Sequence, residues 1–173
     1  MAVNAESVLP ILLVAQGLMG GVDTLLNHEL IERLPYRSQA RREVGLHATR
    51  EAVYATLFGG IAWFAWHGAS AAVIAALLLC EVMVTVADEH IENRTRVLPR
   101  NERVLHMFLT LNLGLIIATL VPVLLQWSSR PTALVQSDHG WLSWVLSALS
   151  LAAAAWSLRD LLAWRRLQAA RSF

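Results

Sequence analysis

The chain has 173 residues, 56% of them hydrophobic and 16% charged, with a formal net charge of +1. That is far more apolar than an ordinary soluble domain, and it leaves no basic surplus for nucleic acid. A soluble helical bundle needs a polar face on each apolar segment, and several segments here have none.

In chain order, the opening MAVNAESV carries Glu6 and no basic residue. It lacks the positive start of a secretory signal, so the first apolar segment is expected to stay in the protein. That segment, 8–26 (VLPILLVAQGLMGGVDTLL), has Pro10 near its start, where a helix tolerates proline. The second is expected over 41–66, with Glu43 and His47 on its first turns ahead of the run AVYATLFGGIAWFAW. The third covers 71–92 and holds Cys80, the only cysteine, which excludes an intramolecular disulfide and CxxC-type metal or haem motifs. The fourth covers 102–126 with Pro122 late in it. The fifth, 141–158, leads into a basic tail at 159–173. A hydrocarbon core about 30 Å thick takes roughly 20 helical residues, so five spans nearly fill the sequence. The expected fold is all-α, one membrane domain over 1–171 with five transmembrane helices, spans one to four forming a bundle.

Charge placement predicts the orientation. There is no lysine, so all fourteen basic side chains are arginine. Arg33, Arg37, Arg41, Arg42 and Arg50 lie between spans one and two. Arg94, Arg96, Arg100 and Arg103 lie between spans three and four, and Arg159, Arg165, Arg166 and Arg171 follow span five. Only Arg130 falls on the other side. The positive-inside rule then puts the amino terminus outside and the tail in the cytoplasm, as expected of a multi-pass protein of a bacterial inner membrane. Trp63, Trp66, Trp127, Trp141 and Trp144 fit an outer aromatic belt, and Trp164 beside Arg165 and Arg166 an inner one.

The acids gather at that cytoplasmic face, and their spacing is helical. Glu43, His47 and Glu51 are each four apart in RREVGLHATREAVY, and Glu102 and His106 repeat the spacing in NERVLHMF. Glu81, Thr85, Asp88 and Glu92 keep one face of span three. His28 and Glu32 are again four apart, with Asp23 about a turn deeper. A weak internal duplication also runs through the chain, HELIER at 28–33 with LP at 34–35 against DEHIEN at 88–93 with LP at 98–99. A carboxylate left alone in a membrane is costly and demands a partner or a hydrated cavity.

The sharpest functional expectation is a centre for two divalent metal ions, Fe or Mn with Zn as the other choice. Carboxylate and imidazole mixtures bridge such ions inside helical bundles. The expected ligands are His28, Glu32, Glu43, His47, Asp88, Glu92, Glu102 and His106, with Glu51, Glu81 and Tyr54 as catalytic or ligand-orienting residues. A centre of this kind suits oxidation of a membrane lipid or a quinone-like lipophilic molecule. Two other readings stay open. One is a non-catalytic subunit or assembly protein, working with a membrane partner or as a homodimer, in which an Arg–Glu–His network locks helix ends together; arginines at the centre of the cluster would favour it. Arg42, Arg50 and Arg103 are the expected counter-ions. The other is an ion or proton transporter, against which stands the scarcity of polar residues in the outer halves of the spans, where Gln16, Thr110, Asn112 and Thr119 are the main ones. His90, His67 and His139 read as solvent-exposed.

The stretch DTLLNHE at 23–29, LP at 34–35, Arg42 with Glu43, Leu46 with His47, Arg50, and Glu81 through Glu92 resembles a group of small, uncharacterised bacterial inner-membrane proteins over about residues 15–115. The resemblance implies a bacterial membrane setting and supplies no reaction. The HxxxH and HxxHH boxes of membrane desaturases are missing, which weakens any direct transfer of their chemistry.

Overall fold

Five α-helices build the molecule: α1 (Ala5–Asp23), α2 (Arg41–Trp63), α3 (Ala71–Thr95), α4 (Arg100–Ser128) and α5 (Trp141–Ala169). The structure, a computed structural model, describes residues 5–170; Arg171, at the end of the expected tail, lies outside the described residues. Within them, four helical stretches are long and apolar enough to cross a membrane, Glu6–Ile31, Gly68–Thr95, Arg100–Ser128 and Trp141–Ala169. Their outer faces expose Leu18, Leu79, Met83, Leu115, Leu125 and Leu151. Such a surface is a liability in water and ordinary in lipid, where only the backbone needs internal hydrogen bonds.

α5 does not stand beside a bundle of the first four helices, as expected; it packs along the whole of α2. Ser143, Ser150 and Ser157 recur every seventh residue, and each Oγ donates to an α2 carbonyl, those of Ala62, Ala55 and Ala48, at 2.7 Å. A seven-residue repeat keeps one helix face on its neighbour, and small residues let the backbones close in. Gly59 and Gly45 of α2 complete the fit, since an added Cβ would meet Ser150 Oγ at 2.9 Å and the Trp164 ring at 3.0 Å. The same helix continues through Arg159, Arg165 and Arg166, so the start of the expected tail is helical.

α2 ends at Trp63, earlier than the expected 66, because its next residues pair as a strand. β1 (Phe64–His67) runs antiparallel to β2 (Ala133–Gln136), with Phe64 opposite Gln136 and His67 opposite Ala133. Gly68 turns the chain at φ +60°, and a Cβ there would lie 2.4 Å from Thr132 Oγ1. Below this ribbon lies the apolar core, with Leu13, Leu57, Ile61, Ile74, Ile116 and Leu120 buried between helices.

At the opposite end, α1 does not stop as an α-helix. Thr24–Ile31 forms a π-helix, closed by the Glu32 N–H donating to Asn27 O at 2.8 Å, a bond to the fifth residue back. Arg33 then takes a left-handed conformation, and two 3-10 turns, Leu34–Tyr36 and Ser38–Ala40, lead into α2. The connector after α3 has no helical turn from Arg96 to Pro99. The two arms of the weak duplication are therefore built differently.

Candidate metal centre

The end of α1, the start of α2, the end of α3 and the start of α4 meet at one end of the bundle. There Asp23, Glu43, Glu81, Asp88, Glu92 and Glu102 are all buried, together with His28 and His47, while His106 is half-buried.

The π-helix explains one side of this cluster. Five residues along an α-helix turn about 140° past a full circle, which would point Asp23 and His28 apart. The wider π turn brings them together: His28 Nε2 lies 3.3 Å from Asp23 Oδ2 and 3.6 Å from Glu102 Oε1. The same Asp23 oxygen is 3.0 Å from His106 Nε2, and His106 Nδ1 is 3.4 Å from Glu92 Oε2. His47 Nε2 is 3.2 Å from Asp88 Oδ2. The His28 and His47 rings stack with centroids 4.3 Å apart.

Three donor groups lie among the described residues; one of them, Glu89, Glu92 and His106, includes the exposed Glu89, and the other two belong to the buried cluster. One oxygen or nitrogen from each of Asp23, His28, Glu102 and His106 falls within 4.8 Å of the others, and so do atoms of His28, His47 and Glu92. They share His28, so the two positions adjoin. A divalent first-row ion takes such ligands at about 2.0–2.2 Å, so the donor atoms would draw somewhat closer together around it.

Two arginines enter the cluster as well. Arg96, just past α3, reaches Glu43 at 2.8 Å, Glu92 at 3.1 Å and Glu102 at 2.5 Å. Burial opposes its charge, but hydrogen bonds to Glu102 and Glu43 outweigh that and raise its pKa above the ordinary arginine value. Arg50 lies 2.9 Å from Asp88 and 3.5 Å from Glu81. The expected counter-ions Arg42 and Arg103 are exposed instead.

The charges do not balance. Six buried carboxylates face two guanidiniums in the cluster, so with every carboxyl ionised four negative charges are left over. Protonated imidazoles cannot neutralise all four, because His28 and His47 stack face to face and two like charges at that distance repel. Several atoms are also unmatched. His28 Nε2, Glu81 Oε2 and Asp88 Oδ1 are buried with no hydrogen-bond partner. His106 presents both ring nitrogens to carboxylates, whereas a neutral imidazole has one N–H to donate.

A cavity of about 240 Å³ opens beside the cluster. Its polar wall includes His28, His47, His106, Asp88 and Tyr54, and its apolar wall Phe58, Leu109, Leu113, Leu149 and Trp156. Tyr54 stands next to Glu81 and accepts a hydrogen bond from Gln16 Nε2 at 3.0 Å, while Gln16 Oε1 accepts from Asn112 Nδ2 at 2.7 Å.

Of the residues singled out in the sequence, His28, Glu43, His47, Asp88, Glu92, Glu102 and His106 come together. Glu51 and Glu81 line the cavity with Tyr54. Glu32 does not join: it caps the end of the helix, just past Ile31, and pairs with Arg37 at 2.5 Å. Asp23 takes the place expected of Glu32. Its five-residue spacing from His28 points to a shared face only once the π-helix is known. Arg96 was not among the expected counter-ions, although its place four residues beyond Glu92 is the signal that could have found it. His90 is exposed as expected. His67 is not: it is buried beside the Trp127 ring, 3.4 Å from Arg130, and His139 is half-buried against Ile61 O at 3.1 Å.

No family model, curated protein or solved structure matches the chain.

Proposed function

We propose that this chain is a five-span membrane protein, α2 being the fifth span, whose polar end holds two divalent metal ions and, with dioxygen as the electron acceptor, oxidises a lipophilic molecule lodged in the adjoining cavity. The observation that carries the reading is the excess of buried carboxyls over guanidiniums beside three imidazoles: with the imidazoles neutral and every carboxyl ionised, two divalent cations cancel the four charges that the arginines leave. Asp23, His28, Glu102 and His106 would hold one ion, and His47 with Glu92 the other, since a neutral His28 has a lone pair for one ion only. His106 then binds through one nitrogen and donates from the other to a carboxylate, the usual way a ligand imidazole is oriented. Iron or manganese at such a centre supplies redox chemistry. The chain's own residues do the rest. The apolar wall keeps water from the bound chain, Arg50 holds Asp88 and Glu81 in place, and Tyr54 has its hydroxyl proton free for Glu81 because it accepts from Gln16.

One observation favours a second reading, a structural network without metal: Arg96 alone binds three of the glutamates. The two readings separate spectroscopically. Protein purified in detergent from cells grown with iron and manganese is expected to give an iron or manganese electron-spin signal that dithionite alters. Zinc alone points to hydrolysis or structure, and a metal-free spectrum to the arginine network. We read the cluster as cytoplasmic and the host membrane as a bacterial inner membrane, on the arginine distribution alone.

A further inference from the structure

The cavity has a window. α1 and α5 touch where Gly17 meets Leu149, close enough that a Cβ on Gly17 would lie 2.8 Å from Leu149 Cδ1. One turn nearer the polar end the lining is Gly20 and Gly21 on α1, and Ala152 and Ala153 on α5. A Cβ on either glycine would meet nothing within 4 Å, and Gly21 and Ala152 are exposed. The opening therefore faces the surroundings of the bundle sideways, between two helices apolar enough to lie in lipid.

Just inside it, two side chains of opposite hydrogen-bonding character line the cavity, Glu51 from α2 and Trp156 from α5. Glu51 Oε2 and Trp156 Nε1 are each buried without a hydrogen-bond partner. An indole N–H only donates and a carboxylate oxygen only accepts. A hydroxyl carries both complements, an oxygen able to accept from Trp156 and a proton able to go to Glu51. A carboxylate or phosphate adds negative charge where carboxylates already outnumber guanidiniums. An alkane leaves both atoms orphaned, and each orphan is costly. Farther in, the unpartnered atoms of His28, Glu81 and Asp88 line the same space.

We propose that the cavity binds a neutral long-chain alcohol, entering from the bilayer between α1 and α5, with its hydroxyl held between Glu51 and Trp156. At about 240 Å³ the space falls below the roughly 300–1,000 Å³ of sites that enclose a whole drug-sized ligand. It takes the hydroxyl and the first carbons, and the rest of the chain lies in the window beside Gly20, Gly21, Ala152 and Ala153. The inference deepens the functional reading above and rests on it for the alcohol being a substrate; the binding itself requires no metal.

The test uses the full chain in lipid nanodiscs, photolabelled with a diazirine-bearing dodecanol in the presence of excess dodecanol, dodecanoate or dodecane. Label is expected on the peptides carrying residues 17–25 and 149–156, removed by dodecanol and not by dodecanoate or dodecane. Trp156→Phe keeps the ring and removes the donor, and is expected to weaken dodecanol competition about five- to tenfold. Gly20→Leu, which closes the window, is expected to abolish the label, whereas Leu151→Phe on the exposed face of α5 leaves it unchanged. Dodecane or dodecanoate competing as well as dodecanol overturns the proposal, and so does Trp156→Phe behaving as the unaltered chain. Metal content is measured on the same samples. Selective labelling of metal-free protein supports the alcohol site while sinking the metal reading, and metal-loaded protein without selective labelling does the reverse.

Discussion

His28 lies between Asp23 and Glu102 and stacks on His47, with Nε2 making no hydrogen bond. A side chain held this way adds little to a metal-free fold and much to a bound ion. His28→Ala, His47→Ala and His106→Ala are each expected to lose most of the metal retained after a mild chelator wash, while His67→Ala and Glu32→Gln keep it. Equal retention in all five would reject the ligand assignment. Arg96 makes a different prediction. Its removal strands Glu43, Glu92 and Glu102, and uncompensated buried charge costs about 3–5 kcal/mol. Arg96→Met should therefore lower the thermal midpoint of unfolding in detergent markedly, and an unchanged midpoint would mean that something else already neutralises those glutamates. At this scale the sequence was readable where spacing stayed at three or four, as in Glu43–His47, Glu102–His106 and Asp88–Glu92. It misled at Glu32, whose four-residue spacing from His28 spans a stretch that is not α-helical.

The π-helix from Thr24 to Ile31 is the element on which the site depends. A π turn is an α-helix carrying an extra residue, frequently at a functional site, and nothing in TLLNHELI marks it by composition. Deleting the exposed Leu26 leaves Asp23 and His28 four apart, a spacing an α-helix also keeps on one face. That variant should still bind metal. Inserting an alanine between Leu25 and Leu26 should abolish binding while circular dichroism shows the helices intact, and metal retained after the insertion would deny the segment its positioning role. The outer ribbon makes a separate claim. Gly68→Ala must accept φ +60° and a Cβ within 2.6 Å of the Thr132 backbone, so a loss of about 1–3 kcal/mol is expected in thermal unfolding. Apolar periodicity revealed the five helices but not this ribbon, because FAWH and ALVQ read as continuations of apolar segments. The Ser143, Ser150 and Ser157 ladder was hidden likewise, as three hydroxyls spread through an alanine- and leucine-rich run.

For the whole molecule, the fold puts apolar side chains on the outside and charge at one end, an arrangement that a bilayer accommodates and water does not. The proposed orientation rests on the arginine distribution. In a Cys80→Ala background, Asp138→Cys should react with an impermeant thiol reagent added to intact cells and Ser38→Cys should not; the reverse would put the polar end outside. The charge asymmetry was fully legible in the sequence. The imbalance was not, because it depends on which acids become buried together and which arginines reach them. The carboxylates that arginine does not cancel must be met by cations or by protons on the carboxyls and imidazoles, and bound metal is what separates the two. Elemental analysis of detergent-purified, chelator-washed protein addresses this most directly. About two equivalents of iron, manganese or zinc per chain are expected, since a built site stays filled; less than about a tenth of an equivalent would contradict the metal centre and leave the arginine network in its place.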